Sequence, residues 1–384
     1  MKRGLLLKIL CAAAAAIVLT ACLYSDAGVW AASKSFEKDG WTFLITDSEN
    51  RLVTIKKAPE DTEAVTVIPS MVIHGKKTYT VTGIANAAFA FSGIEEAIIP
   101  ETVTTIGSSA FTGCRELKSV YIPDSVTSIG CGAFSYCSVL TNVEIGSGNE
   151  AYVFSEGILY SADRTELVWA SQLAGSSCTV PEGVLKILPY AFEGNSTVKK
   201  VKLSSTLLKI GTGAFMDCSS LKNVSIPKSV KTIEGNPFMY CPALESISVA
   251  KGSKYYCATE GGLLLNAKKT TLVSASAVKG DLVLPESIKK IVKGAAAGNP
   301  SITSVTFDAK LKTVEAYAFA DCGSLSKIVF KSRKTGLAKD GEIFKNTAYY
   351  LDVTVPYSSE MNAEGGIEDM IRRNSPNGVI ITWR

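Results

Sequence analysis

Apolar residues in this chain return at a long fixed interval, superimposed on short alternations of apolar and polar positions. An aliphatic residue five places before a phenylalanine, or its equivalent, falls at Ile84, Ile106, Ile129, Ile187, Ile210, Ile233, Ile291 and Val314. The intervals are 22, 23, 58, 23, 23, 58 and 23 residues, so two units carry an insertion of the same 35-residue length. One such unit cannot bury its own apolar side, whereas stacked units share a continuous core. In the second copy, the pattern predicts that Ile106, Phe111, Leu117, Val120, Ile122 and Val126 point inward. Val120 and Ile122 lie two apart, the period of a strand with one buried face. Equivalent pairs (Val143/Ile145, Val224/Ile226, Ile247/Val249) predict one parallel sheet, its strands ended by Pro100, Pro123 and Pro227.

The period and the spaced aliphatic residues predict a leucine-rich-repeat solenoid, mostly β. Phe89, Phe111, Phe134, Phe192, Phe215, Phe238 and Phe319 form a column opposite the strands. Ala296 interrupts it, which predicts a thinner or underpacked coil there. Three residues further on stand Ser92, Cys114, Cys137, Asn195, Cys218, Cys241, Asn299 and Cys322. These side chains are small and form hydrogen bonds, as a ladder satisfying backbone groups at a turn requires. Neighbouring coils ~4.8 Å apart leave two readings open, buried free thiols or bridges such as Cys114–Cys137. Parallel side-chain vectors favour the free thiols; Cys131, Cys178 and Cys257 lie off the column.

The insertions, near 149–178 and 252–280, echo each other: "AYVFSEGILYSADRTELVWAS" against "YYCATEGGLLLNAKKTTLVSAS". Each predicts a hairpin projecting from the stack. Their aromatic residues, Tyr152, Tyr160, Trp169, Tyr255 and Tyr256, suit either a recognition patch or packing against the coils.

The unit "IGSSAFTGCRELKSVYIPDSVTS" resembles the BspA-like leucine-rich repeat of bacterial surface proteins. The resemblance runs from Ile84 to about Phe330, reaches upstream into "VTVIPSMVIHGKKTYTVTGIANAAF", and includes the E-G-x-L-Y element of the inserts. It implies a solenoid with its parallel sheet on a concave face, and a non-enzymatic exported protein of a kind linked to adhesion and to binding host proteins. It transfers no site residue. The resulting organisation is a signal segment 1–22, an N-terminal cap and opening half-coil 33–83, repeats 84–331, and a C-terminal cap 332–384. That last cap holds one more V-x-V-P strand and a short helix in "SEMNAEGGIEDMIRR".

The first residues change the picture of where the protein works. Lys2, Arg3 and Lys8 flank or precede an apolar run, Ile9–Ala21, too short to span a bilayer and suited to a secretory signal. "LTAC" resembles a lipobox that would leave Cys22 for lipid attachment; "VWA" (Val29–Ala31) is the competing ordinary cleavage site. Of the formal net charge of +4, three charges belong to those basic residues, so nothing marks a nucleic-acid or anionic-membrane partner. The run "KSRKTGLAK" (Lys331–Lys339) reads as a solvated basic loop.

Candidate chemistry is sparse. His74, the single histidine, has no nucleophile motif beside it, and the cysteines follow the repeat period rather than a zinc-ligand spacing. The expectation is no catalytic residue, no metal and no cofactor. Function is read as a protein-binding or adhesion module, exported and either lipid-anchored at the cell surface or secreted. The alternative is a structural spacer of the envelope without a specific external ligand. The partner would be a protein or other extracellular macromolecule, with membrane contact only through Cys22. Side chains between the inward ones face outward, and from these Tyr121, Glu144, Lys200 and Lys202 are the candidate ligand contacts.

Overall fold

A computed structural model describes residues 34–61, 63–332, 334–338, 341–356, 367–375 and 378–383. The signal segment, Cys22 and Val29–Ala31 lie outside the described residues. The chain forms two compact units: described residues up to Gly175 with Ile187–Ser196, and Ser176–Lys186 with Thr197 onward.

The first unit opens with a meander, β1 (Ser35–Lys38), β2 (Trp41–Asp47) and β3 (Leu52–Lys57), paired antiparallel. Asp39 and Gly40, with φ of 50° and 79°, make the two-residue turn whose twist matches the flanking strands. Then follow β4 (Val65–Val67), β5 (Met71–His74), β6 (Lys77–Ile84), β7 (Glu96–Ile98), β8 (Thr105–Ile106), β9 (Ser119–Ile122), β10 (Ser128–Ile129) and β11 (Asn142–Ile145). The V-x-I segments stack in parallel as β4–β7–β9–β11, with Val120 beside Ala97 and Val143. A second parallel row, β3–β6–β8–β10, runs through the aliphatic residues that mark the period, Ile84, Ile106 and Ile129. That row was not anticipated, because a two-residue strand shows no alternation. All six residues expected to point inward in the second copy are buried.

The first insertion forms β12 (Tyr152–Ser155), β13 (Ile158–Ser161) and β14 (Glu166–Ala170), three antiparallel strands rather than one hairpin. Its first turn, Glu156–Gly157 with φ of 53° and 77°, repeats the geometry of Asp39–Gly40. Nor does the insertion project from the stack, as expected: Leu159, Val168 and Trp169 belong to the same buried core as Phe134. The ring column of this unit runs Trp41, Phe89, Phe111, Phe134, Trp169, with successive centroids 5.7, 4.8, 5.5 and 5.5 Å apart. Tryptophans from the two meanders thus join the phenylalanines in one column. Each offset-stacked or edge-on ring pair adds about 0.5–1.5 kcal/mol to the burial itself.

Along the chain come β15 (Ser177–Thr179), of the second unit, and the two-residue β16 (Lys186–Ile187). The second unit continues with β17 (Lys200–Lys202), β18 (Lys209–Ile210), β19 (Asn223–Ile226), β20 (Thr232–Ile233) and β21 (Ser246–Val249). Its meander is β22 (Tyr256–Ala258), β23 (Leu264–Asn266) and β24 (Thr271–Ser274). After it come β25 (Gly280–Leu282), β26 (Lys290–Ile291), β27 (Ile302–Phe307), β28 (Thr313–Val314), β29 (Lys327–Phe330), β30 (Gly336–Leu337), β31 (Tyr350–Val355), α1 (Ile367–Arg373) and β32 (Gly378–Trp383). The V-x-I strands form two sheets here, β15–β17–β19–β21 and β25–β27–β29–β31–β32. With β4–β7–β9–β11 that makes three sheets where one was expected. A meander intervenes at each break, and the sheet row restarts after it.

Two further expectations change. The basic run is not simply a solvated loop: Leu337 pairs beside Val314 and is buried, Phe344 stacks on Phe319 at 5.8 Å, and Val353 aligns with Ile328. These residues make one more coil, degenerate in sequence. Nor is the coil of Ala296 left thin. Phe307 stands where Ile122 and Ile226 stand in earlier coils, fully buried, with its ring 5.7 Å from Phe319 and 4.9 Å from Phe330.

The cysteine ladder is a set of free thiols among the described residues. Four of these thiols are seen to donate to the carbonyl at the phenylalanine position one coil earlier: Cys114 to Phe89 at 3.0 Å, Cys137 to Phe111 at 3.1 Å, Cys241 to Phe215 at 2.9 Å and Cys322 to Ala296 at 3.1 Å. Burial pushes the Cys322 thiol up to about 12 and raises Cys137 as well, so both stay protonated donors. Asparagine occupies the ladder only in the coils that follow an insertion. Asn195 reaches the Ala170 and Ser171 carbonyls, and Asn299 those of Ala275, Ser276 and Val278. A meander ends there with more open carbonyls than one thiol can serve.

Candidate functional site

Strand alternation puts one side chain of each V-x-I segment in the core and its neighbours outside, and the parallel register then lines the outer ones into rows. In the first unit one row runs Val65, Glu96, Ser119, Asn142 and the next Val67, Ile98, Tyr121, Glu144. Tyr121 and Glu144, both singled out from sequence, therefore sit side by side on β9 and β11. The Tyr121 hydroxyl donates to Glu101 at 3.1 Å, and this bond to a carboxylate, with partial burial, raises its pKa. Val65 and Val67 are 48% and 66% exposed, and Ile98 is half-buried. This face gathers three aliphatic side chains and one aromatic, with Glu96, Glu144, Ser119 and Asn142 beside them.

Val65 and Val67 were not picked out from sequence. The readable signal was Ile68–Pro69, which takes the I-P place of the unit and so turns Thr66 inward and both valines outward. Thr66 is indeed buried, its hydroxyl donating to the Glu63 carbonyl at 2.8 Å.

Lys200 and Lys202 lie in the other unit, together on β17. One row there is Ser177, Lys200, Asn223, Ser246; Thr179 pairs with Lys202, and Ser225 with Ser248. All eight side chains are exposed, and none is acidic, aromatic or aliphatic. They line a groove of about 440 Å³. The four candidate contacts thus fall into two pairs on two faces of different chemistry. On the third sheet Asp281 accepts from Ser304 at 2.6 Å and Thr303 at 3.0 Å, which holds its carboxyl below the usual range.

The insert aromatics pack. Tyr160 and Trp169 are buried, and the Tyr152 hydroxyl accepts the Ile129 amide at 2.8 Å. Tyr256 does the same for Ile233 at 2.7 Å. β10 is the last strand of its row, so its edge amide would otherwise lack a strand partner. Tyr255 alone of the five stays exposed. The His74 ring stacks on Phe36 with centroids 4.0 Å apart, and His74 pairs with Lys77 across its hairpin. Among the described residues no group of three or more His, Cys, Asp or Glu is placed to hold a metal, and no helix is long and apolar enough to cross a membrane.

Comparison with known proteins adds a family match. The BspA type leucine rich repeat region matches residues 76–163, 169–258 and 278–362, in six copies. No curated protein sequence matches the chain. Similar solved structures include a leucine rich cell surface protein from Faecalibacterium prausnitzii, 22% identical over 91% of this chain and 94% of that one, TM-score 0.44. A leucine-rich repeat protein from Eubacterium ventriosum is 20% identical over 87% and 98%, TM-score 0.46. The pneumococcal vaccine antigen PcpA is 20% identical over 91% and 98%, TM-score 0.39.

Proposed function

Because the chain belongs to the BspA-type leucine-rich-repeat family, we propose that it is an exported surface protein that binds another protein through the outer face of β4–β7–β9–β11. The observation that carries this reading is the exposed Val65 and Val67 beside the half-buried Ile98 and Tyr121 on one sheet face. Apolar and aromatic side chains gathered at the centre of a face supply most of the energy of protein recognition. Glu96 and Glu144 flank them and select a partner segment that carries basic side chains among apolar ones. Tyr121 is already oriented by Glu101, which lowers the entropy lost on binding. The basic residues and apolar run at the start of the sequence support export, and Cys22 is the proposed lipid attachment point.

The test is biolayer interferometry of the mature chain against a panel of purified extracellular-matrix and plasma proteins. A triple variant, Val67→Ser, Tyr121→Ala and Glu144→Ala, is run beside the wild type. A partner is expected whose affinity falls at least tenfold in the variant while the melting temperature stays within a degree or two. Equal affinities for every binding partner found would remove this face from the reading. A panel with no binder at all would favour a structural spacer.

A further inference from the structure

We propose that the groove over β15–β17–β19–β21 is a second binding site, independent of the first, that takes an acidic polysaccharide. Its outer surface is built from serine, threonine and asparagine with Lys200 and Lys202 near its middle. Hydrogen-bonding groups repeat across it at the inter-strand spacing of ~4.8 Å. A ligand whose own hydroxyls and charges repeat along a chain can meet such a row at several points.

The charge is what selects the class. Four other lysines of the coils pair with a carboxylate of a neighbouring coil, in Lys118–Glu95, Lys209–Glu234, Lys222–Glu245 and Lys290–Glu315. Lys200 and Lys202 make no ion pair among the described residues, although both are exposed. Glu182, whose carboxylate accepts the Ser205 amide and hydroxyl and the Ser204 hydroxyl, keeps its charge but is not among the residues that line the groove. The lining of the groove therefore carries two ammonium groups and no acidic side chain. An ammonium is a point charge that binds sulfate or carboxylate without demanding a fixed fork geometry.

The same surface argues against a protein ligand. It offers no aromatic, arginine or exposed aliphatic anchor around which a protein interface could concentrate its energy. Many modest polar contacts, water-mediated ones included, suit a hydrated sugar chain better.

The experiment uses the mature full chain and four probes, heparin, polygalacturonate, polyglutamate and neutral dextran, with affinity measured at several salt concentrations. Heparin or polygalacturonate should bind, and binding should weaken as salt rises. The double variant Lys200→Gln, Lys202→Gln should lose at least tenfold in affinity and show a shallower salt dependence. A second variant, Lys118→Gln in the other unit, should bind like wild type, and both variants should keep the wild-type melting temperature. Binding of heparin or polygalacturonate, but not of dextran, supports the site; the sulfated and carboxylated probes separate the two anion chemistries. Equal binding by wild type and the Lys200/Lys202 variant would overturn it. So would polyglutamate binding as tightly as either polysaccharide, or no binding to either one. The Val67/Tyr121/Glu144 variant should bind these probes normally, so failure of one site is separable from failure of the other.

Discussion

Replacing Asn299 by cysteine, the residue that fills the same ladder position in Cys114, Cys137, Cys241 and Cys322, isolates the reason the ladder changes after an insertion. The Asn299 amide group donates to three carbonyls, Ala275 at 3.0 Å, Ser276 at 3.2 Å and Val278 at 3.0 Å. Its oxygen accepts the amides of Ser301 at 2.7 Å and Ile302 at 3.0 Å. Two N–H groups serve three acceptors, so the side chain makes about four bonds' worth of contact. A thiol can donate to one carbonyl and accepts weakly. The change therefore strands about three hydrogen bonds at a site only 3% exposed. At about 1 kcal/mol net per bond, more where a buried group is left unpaired, Asn299→Cys should cost about 3–4 kcal/mol. The direct readout is amide hydrogen exchange under native conditions. Each 1.4 kcal/mol is a factor of ten, so the Ile302 amide should exchange about a hundredfold faster or more, while Phe111, in the first unit, is unchanged. Urea unfolding should report the same loss. If Ile302 exchange changes by less than about threefold, the asparagine is interchangeable with cysteine and the account of the ladder is wrong.

Two other outcomes follow from the thiols and the start of the chain. Cys114, Cys137, Cys218, Cys241 and Cys322 should titrate as free thiols after unfolding without reductant, and a recovered Cys114–Cys137 crosslinked peptide would refute this. In the native protein Cys322 lies near 12, above the ~8.5 of an unfolded thiol, so its contribution to stability is complete below about pH 8.5 and declines as pH rises toward 12. A Cys322→Ser variant, whose hydroxyl does not ionise in that range, should show a weaker alkaline loss of melting temperature; identical pH profiles would count against burial as the cause. Cys22→Ala should leave the precursor uncleaved or release the protein from the membrane fraction, and an unmodified mature N-terminus at Ala32 in intact-mass spectra would contradict lipid attachment.

Much of the coil was legible because its signals are local and repeated. Val120 and Ile122 announce a strand with one buried face, Pro123 ends it, and copies 23 residues apart must stack to bury them. The meanders were only half legible. Glu156–Gly157 is a turn signal, yet the insert lies off the repeat period, so nothing local revealed that Trp169 joins the ring column that includes Trp41. Ala296 is similar: the missing ring is readable, but its replacement by Phe307 comes from a different part of the coil that meets the column only in three dimensions. The asparagines at 195 and 299 looked like neutral variants of cysteine until their carbonyl partners at the meander ends were in view.

What the sequence by itself determined is the stack: its period, its inward side chains and the outward alternation that nominated Tyr121, Glu144, Lys200 and Lys202. A two-residue alternation decides inside from outside at each strand, and that information is wholly local. Which outward residues share a surface was decided only by the tertiary structure. The meanders split the strands among three sheets, so Tyr121 and Glu144 joined Val65 and Val67 on one, while Lys200 and Lys202 joined a row of hydroxyls on another. Periodicity fixes a side chain's direction; its neighbours depend on where the hydrogen-bonded row stops and starts again.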